Sequence, residues 1–188
     1  MVAALGVSAT APVRAAEDAP VSLRILGFVE HVRILESPPL RVKARLDTGA
    51  RTSSLTARNP VTIQRNGVEW IAFEVDDPDD GVEAVRYQLP VERYVRIKRH
   101  DGSHQRRPVV RMHFCLADVA LVREVSLIDR SELMYPMLIG RNFLAGRILV
   151  DASDSLTTDP ACPADGGARE NGKNDSGDEH DDDGDEAE

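Results

Sequence analysis

Aromatic side chains are scarce in this 188-residue chain, which holds one Trp, three Tyr and four Phe. Proteins that grip single-stranded nucleic acid interleave stacking rings with basic residues. The most basic stretch here, Arg93 to Arg111, holds only Tyr94, with Phe114 nearby, so nucleic acid is not an expected partner. Long apolar runs are missing too. Nothing approaches the roughly 20 residues that a membrane-crossing helix needs, and no membrane span is expected. No Gly-x-x-x-x-Gly-Lys-Ser/Thr loop is present to cradle phosphates, and no His-Glu-x-x-His helix to hold zinc. Internal repeats are absent and helical periodicity is slight. Cysteines number two, Cys115 and Cys162. In an oxidising space they can pin the start of the tail to the body; in the cytosol they stay thiols. Cys115 lies in an expected strand, where a small buried apolar role is the simpler reading.

The formal charge of -9 is unevenly spread. Residues 159–188 hold twelve acids against Arg169 and Lys173, whereas the preceding residues hold twenty acids and twenty-one bases. The body is therefore near neutral, and residues 159–188 read as a disordered acidic tail with almost nothing apolar to bury. Residues 1–20 are small and apolar, and Val13-Arg14-Ala15 resembles a cleavage site. They read as a disordered terminus or the remnant of a secretory signal, which would put the protein in the periplasm or outside the cell. If they are not such a remnant, a cytoplasmic location follows.

Between these ends, 21–158 reads as one domain built of strands. Leu23–Leu35 is rich in branched residues and stops at Ser37-Pro38-Pro39, and Leu40–Leu46 alternates. Asn66-Gly67 is a strong hairpin signal ahead of Val68–Val75. Val82–Leu89 follows the acidic loop 76–81. Tyr94–Arg99 and Gln105–Leu116 flank Asp101-Gly102, again a hairpin, and Val119–Ile128 is a further strand. Only Arg141–Ala145 reads as a helical turn, before Arg147–Asp151. Short strands separated by turn signals point to a small all-β barrel.

The alternating strand delivers Asp47 into the turn Asp47-Thr48-Gly49-Ala50, and ninety residues later comes Tyr135-Pro136-Met137-Leu138-Ile139-Gly140-Arg141-Asn142-Phe143-Leu144. Peptide hydrolysis by paired carboxylates needs two Asp so close that both cannot ionise; one holds a proton while the other activates water. Gly49 permits a tight approach, and Thr48 can buttress two such loops across an axis. Leu138, Ile139 and Gly140 are expected to pack behind the loop. The chain has only one Asp-Thr-Gly, so the second carboxylate must come from a second copy. The chemistry therefore carries a homodimer with it.

Leu46–Leu55, Val95–Arg99 with Gln105–Val110, and Tyr135–Arg141 together resemble bacterial retropepsin-like proteins that carry the label ATP-dependent zinc protease. The resemblance covers about residues 23–151. It implies a closed retropepsin-like barrel with one short helix, acting as an aspartic peptidase without a cofactor. Asp47 falls in its catalytic position, with Thr48 and Gly49 completing the turn. Some relatives are associated with enzymes that add glutamate tails to proteins, which suggests acidic peptides or proteins as substrates. Where the family often has His, this chain has Thr56.

The basic residues of the hairpin, Arg96, Lys98, Arg99, Arg106 and Arg107, suit a flap or groove wall that attracts such a substrate, with Ala50 and Arg51 beside the Asp. A solvated ribbon explains the same charges. The acidic tail folding back on this hairpin as a substrate mimic is a further reading. No metal site is expected; the competing zinc peptidase would use His100, His104, His113 and Cys115, a set that matches no established zinc spacing. The competing non-enzyme reading is a peptide-binding module on the same barrel.

Overall fold

The computed structural model describes residues 22–77, 81–98 and 102–163. The expected signal remnant, Arg99, His100 and the acidic run beyond Pro163 lie outside them.

β1 (Arg24–Ile34) and β2 (Leu40–Leu46) form the first antiparallel pair, Ile34 opposite Leu40, across a link with a cis Ser37–Pro38 bond. β2 shows how the sequence dictates its element. In Leu40-Arg41-Val42-Lys43-Ala44-Arg45-Leu46 every apolar residue is buried, and the basic residues between them face outward or sit half-covered. That two-residue period fixes the register, since a slip by one would put three basic side chains in the core.

β3 (Ser53–Thr56), β8 (His104–Leu116), β9 (Val119–Ile128) and β10 (Met137–Ile139) complete a ring with these two. The hydrogen-bonded order is β1, β2, β10, β3, β9, β8, and β8 returns to β1 through Val32 opposite Leu116 and Ile34 opposite Phe114. β7 (Arg93–Lys98) extends the sheet beyond β8, and β11 (Ile148–Ser155) lies parallel to the start of β1. Inside the ring Val32, Ile34, Val42, Met112, Phe114 and Ile139 are fully buried. Each such side chain contributes about 1.5–3 kcal/mol relative to exposure. Among the described residues there is one short helix, α1 (Arg141–Leu144), which packs against β3, β9 and β10 and buries Phe143 and Leu144 in the core. The all-β expectation, with a single helical turn after Gly140, is what the structure shows.

A second sheet of three strands, β4 (Arg58–Arg65), β5 (Val68–Asp77) and β6 (Val82–Pro90), packs on the ring through Ile71, Phe73 and Val75. β5 follows the expected Asn66-Gly67 turn, where both residues have positive φ (50° and 78°), as a two-residue hairpin of this hand requires. β4 carried no strand signal of its own. It is an exposed edge, interrupted by Pro60 and a register shift between Arg58 and Val61, so it shows no apolar alternation.

Residues 159–163, which the charge pattern assigned to the tail, are bonded to the body. Leu156 N–H donates to Val29 O (2.7 Å) and Asp159 pairs with Arg41 (2.6 Å). Ala161 N–H donates to Ala117 O (2.7 Å), and Cys162 is disulfide-bonded to Cys115. The carboxylate of Glu30, fully buried, accepts from the N–H groups of Gly27, Thr157 and Thr158 and from the Thr157 hydroxyl. A buried carboxylate persists where several donors replace its lost water, and here those donors strap residues 157–158 to β1.

Candidate active site

β2 ends in the core at Leu46 and passes Asp47 to an exposed turn. The Asp47 N–H still pairs with β10, donating to Ile139 O (2.9 Å). The Asp47 Oδ1 atom turns back on its own loop and accepts from the N–H groups of Gly49 (2.9 Å) and Ala50 (3.1 Å). A Cβ on residue 49 would stand 3.2 Å from that oxygen, which is why a glycine suits the position. Oδ2 has no hydrogen-bond partner among the described residues. One oxygen is thus fixed by backbone donors and the other is left to meet water, substrate or another carboxylate.

The loop is held from behind by the second sequence block. A Cβ on Gly140 would lie 2.8 Å from Thr52 C, 2.9 Å from Ala50 O and 3.0 Å from Thr52 O. Only glycine allows this crossing. Arg141 N–H donates to Ala50 O (2.8 Å) and Asn142 N–H to Arg51 O (2.9 Å). The Arg141 guanidinium donates to Thr48 O (3.0 Å) and Gly49 O (2.6 Å). Ser53 is buried and accepts from Gly140 N–H (3.1 Å) while donating to Asn142 Oδ1 (3.0 Å); Asn142 Nδ2 in turn donates to Glu124 O (2.8 Å). Leu138 and Ile139 lie on β10 between β2 and β3, so this strand ties the Asp47 loop to Ser54. Thr48, Gly49 and Arg51 are exposed and Ala50 is half-buried.

The basic hairpin forms as β7 paired with β8, Arg96 opposite Arg106 and Val95 opposite Arg107. Its charges are not uniformly solvated. Arg106 lies over the Tyr94 ring (3.5 Å to the centroid), and the Tyr94 hydroxyl donates to Glu69 on β5. Arg93 pairs with Glu124 (2.5 Å). Arg107 is half-buried and its Nε donates to Gln105 (2.9 Å). Arg96 and Lys98 are exposed. A cavity of about 550 Å³ opens beside the hairpin base, lined by Arg106, Pro108, Ile71, Leu127 and Arg58 among others; Asp47 is not part of its lining.

Two groups of residues escaped the sequence. Ser53, Ser54 and Asn142 stand inside blocks that were legible only as motif. Arg130 lies between β9 and β10, yet it is only 9% exposed. Its Nε donates to Tyr135 O (3.0 Å) and its Nη1 to Ser54 Oγ (2.8 Å). Burial lowers the affinity of this guanidinium for its proton, and the charge of Arg107 adds to that; the charge of Asp47 works in the opposite direction. No periodicity marks a buried arginine, so nothing in the sequence singled it out.

Of the competing zinc set, His100 lies outside the described residues, and the disulfide occupies the Cys115 sulfur. A bridged sulfur is not a thiolate ligand. Among the described residues no group of three or more His, Cys, Asp or Glu stands close enough to hold a metal. No helix there is long and apolar enough to cross a membrane.

The family model described as retropepsin-like aspartic endopeptidase RimB matches residues 25–160. A protein of Parasynechococcus marenigrum named "Probable alpha-L-glutamate ligase" is 37% identical over 115 residues, 61% of this chain and 25% of that protein. One of the same name from Desulfotalea psychrophila is 35% identical over 132 residues, 70% of this chain and 28% of that protein. The chain thus spans about a quarter of the length of these relatives. Among solved structures, Lpg0085 of Legionella pneumophila, a protein of unknown function, is 29% identical with a TM-score of 0.62, covering 73% of this chain and 100% of that one.

Proposed function

The chain belongs to the retropepsin-like aspartic endopeptidase RimB family, and from that membership we propose that it hydrolyses peptide bonds with two Asp47 carboxylates, one from each of two copies. The observation that carries this reading is the Asp47 carboxylate itself, with Oδ1 held by two backbone N–H groups and Oδ2 unpartnered among the described residues. Two such loops meeting on a twofold axis share one proton between their facing oxygens. The ionised member takes a proton from water as the water attacks the scissile carbonyl; the protonated member donates to the carbonyl oxygen. Collapse of the resulting diol, with a proton passed to the amine, releases two peptides. Gly140 and Arg141 contribute by holding the loop to its place, where small displacements cost rate heavily.

The substrate is a peptide bound in extended form across the two copies. Acidic or glutamate-rich sequences are the proposed class, supported by the arginines on the hairpin and by the ligase name that the relatives carry. The Cys115–Cys162 bridge supports residence in an oxidising compartment.

The test is cleavage of acidic peptides by the full chain and by Asp47→Asn. Asparagine keeps the Oδ1 acceptor for Gly49 and Ala50, so the fold should persist while kcat/KM falls by about 10³-fold or more. Specific activity should also decline on dilution as dimers dissociate, followed by sedimentation. Cleavage retained in Asp47→Asn, or full activity in a solution of monomers, would falsify the mechanism.

A further inference from the structure

Arg130 is a buried cation without a carboxylate partner among the described residues. It is 9% exposed, and two of its N–H groups are used, by Tyr135 O and Ser54 Oγ. A guanidinium has five N–H donors, so three are left with no partner among the described residues. None of its nitrogens is both fully buried and unpartnered, so the free N–H groups reach open space where a ligand can meet them.

The fold fixes where that meeting can occur. Ser54, which holds Arg130, is in register with Leu138 on β10. Leu138 is in register with Arg45 on β2, and Asp47 N–H bonds to the next β10 residue, Ile139. Ser54 is therefore two strand spacings from Arg45, and Asp47 lies two residues further along the chain, which puts Asp47 and Ser54 roughly 12 Å apart on the same side of the sheet. The backbone N–H of Arg130 also donates to Thr56 Oγ1 (3.4 Å), so the residue is tied to β3 by both main chain and side chain. Its guanidinium is preorganised.

Asp47 alone does not neutralise this region. In the paired arrangement a dyad sharing one proton carries a single negative charge, whereas two copies bring two Arg130 guanidinium groups, and Arg107 stands near each. On the cavity that Arg130 lines, Asp76 is paired with Arg58 and Asp77 accepts from Lys43 N–H, and no hydrogen bond among the described residues joins either carboxylate to the Arg130 guanidinium. We propose that Arg130 is the specificity-determining residue of the cleft: its free N–H fork binds a carboxylate of the extended peptide beside the scissile bond, once on each side of it. This rests on the two-copy peptidase reading above. It adds the residue that selects the substrate's charge and a requirement for acidic side chains on both sides of the cut.

The experiment compares two peptides differing only by Glu or Gln at the positions flanking the cleaved bond, with the full chain, Arg130→Gln and Arg130→Lys. The native protein should prefer the Glu peptide in kcat/KM by about tenfold or more, the range for a charge-assisted hydrogen bond. Arg130→Gln should lose that preference through the Glu peptide alone, leaving the Gln peptide nearly as before. Arg130→Lys, a point charge without the fork, should keep part of it. An equal loss on both peptides would mean that Arg130 only supports the fold, and an undiminished preference in Arg130→Gln would mean that another group reads the charge; either overturns the proposal. Should Arg130→Gln fail to fold, Arg130→Lys decides, and a native ratio in it has the same consequence. Fluorescence anisotropy of the same peptides on Asp47→Asn separates this claim from the mechanism. Arg130-dependent preference for Glu in binding, with no cleavage by the native chain, would sink the peptidase reading and keep this one. Cleavage that Asp47 controls and that ignores Glu against Gln would do the reverse, and neither cleavage nor binding would end both.

Discussion

Replacing Gly140 by alanine puts one methyl group into a space walled by backbone. The new Cβ would lie 2.8–3.0 Å from three main-chain atoms of Ala50 and Thr52, where carbon contacts normally relax to about 3.5–4.0 Å. A flexible side chain could swing away; main-chain atoms cannot, so β10 and the Asp47 loop must separate by roughly half an ångström or more. Overpacking of this kind costs about 1–3 kcal/mol. The two backbone hydrogen bonds beside it, Arg141 N–H to Ala50 O and Asn142 N–H to Arg51 O, would be stretched as well, which places the total near the upper end. At about 4 °C per kcal/mol for a domain of this size, Tm should fall by about 10 °C. Peptide cleavage should fall further than stability explains, by about 10²-fold at temperatures where the variant is folded, because the loop that moves carries Asp47. Gly27→Ala is the matched control. Its Cβ would stand 2.5 Å from Asp154 O, a still tighter clash, but between β1 and β11 and away from the loop. It should destabilise at least as much and leave the activity of the folded fraction intact. Differential scanning calorimetry and initial-rate assays on both variants decide the matter. A Gly140→Ala protein that melts within about 2 °C of the native one and cleaves normally would show that the loop is not packed as described.

Two further outcomes can be checked on the native protein. Reducing Cys115–Cys162 opens a closure of 47 residues and should cost up to about 4 kcal/mol by chain entropy, seen as a lower urea midpoint with reductant; an unchanged midpoint would mean that the strap at Glu30 and Asp159 suffices. Burial pushes the Tyr87 phenol well above its ordinary value, with the nearby Glu36 charge adding to the effect, and its hydroxyl donates to Pro38 O (2.9 Å). The unfolded chain therefore releases this proton at lower pH than the folded one, so stability present below about pH 10 should decline as the pH rises above it. Tyr87→Phe should cost about 1 kcal/mol near neutrality and flatten that alkaline decline; a decline of the same slope in the variant would assign it to other groups.

Much of the fold was legible because it rests on local period. β2 alternates residue by residue, so its buried face could be read directly, and Asn66-Gly67 announced a turn that only residues tolerant of positive φ can make. Asp47 and Gly140 were legible for a related reason, since each sits where a strand ends in a turn or crossing that few residue types allow. β4 was not legible, because an exposed edge strand has no apolar face to betray it. The attachment of residues 159–163 was not legible, since composition reports their charge but not their partners Arg41, Ala117 and Cys115 far back along the chain.

By itself the sequence determined the strands with one wet face, the hairpin turns, the Asp47 loop and the block that packs behind it, all features whose cause lies within a few neighbouring residues. Only the tertiary structure decided the closure of β8 onto β1, the strap at Glu30, the Cys115–Cys162 pairing and the burial of Arg130 beside Ser54. Each of those joins groups far apart along the chain, and burial and pairing at such range are set by the packed whole. No local pattern of residue types encodes them.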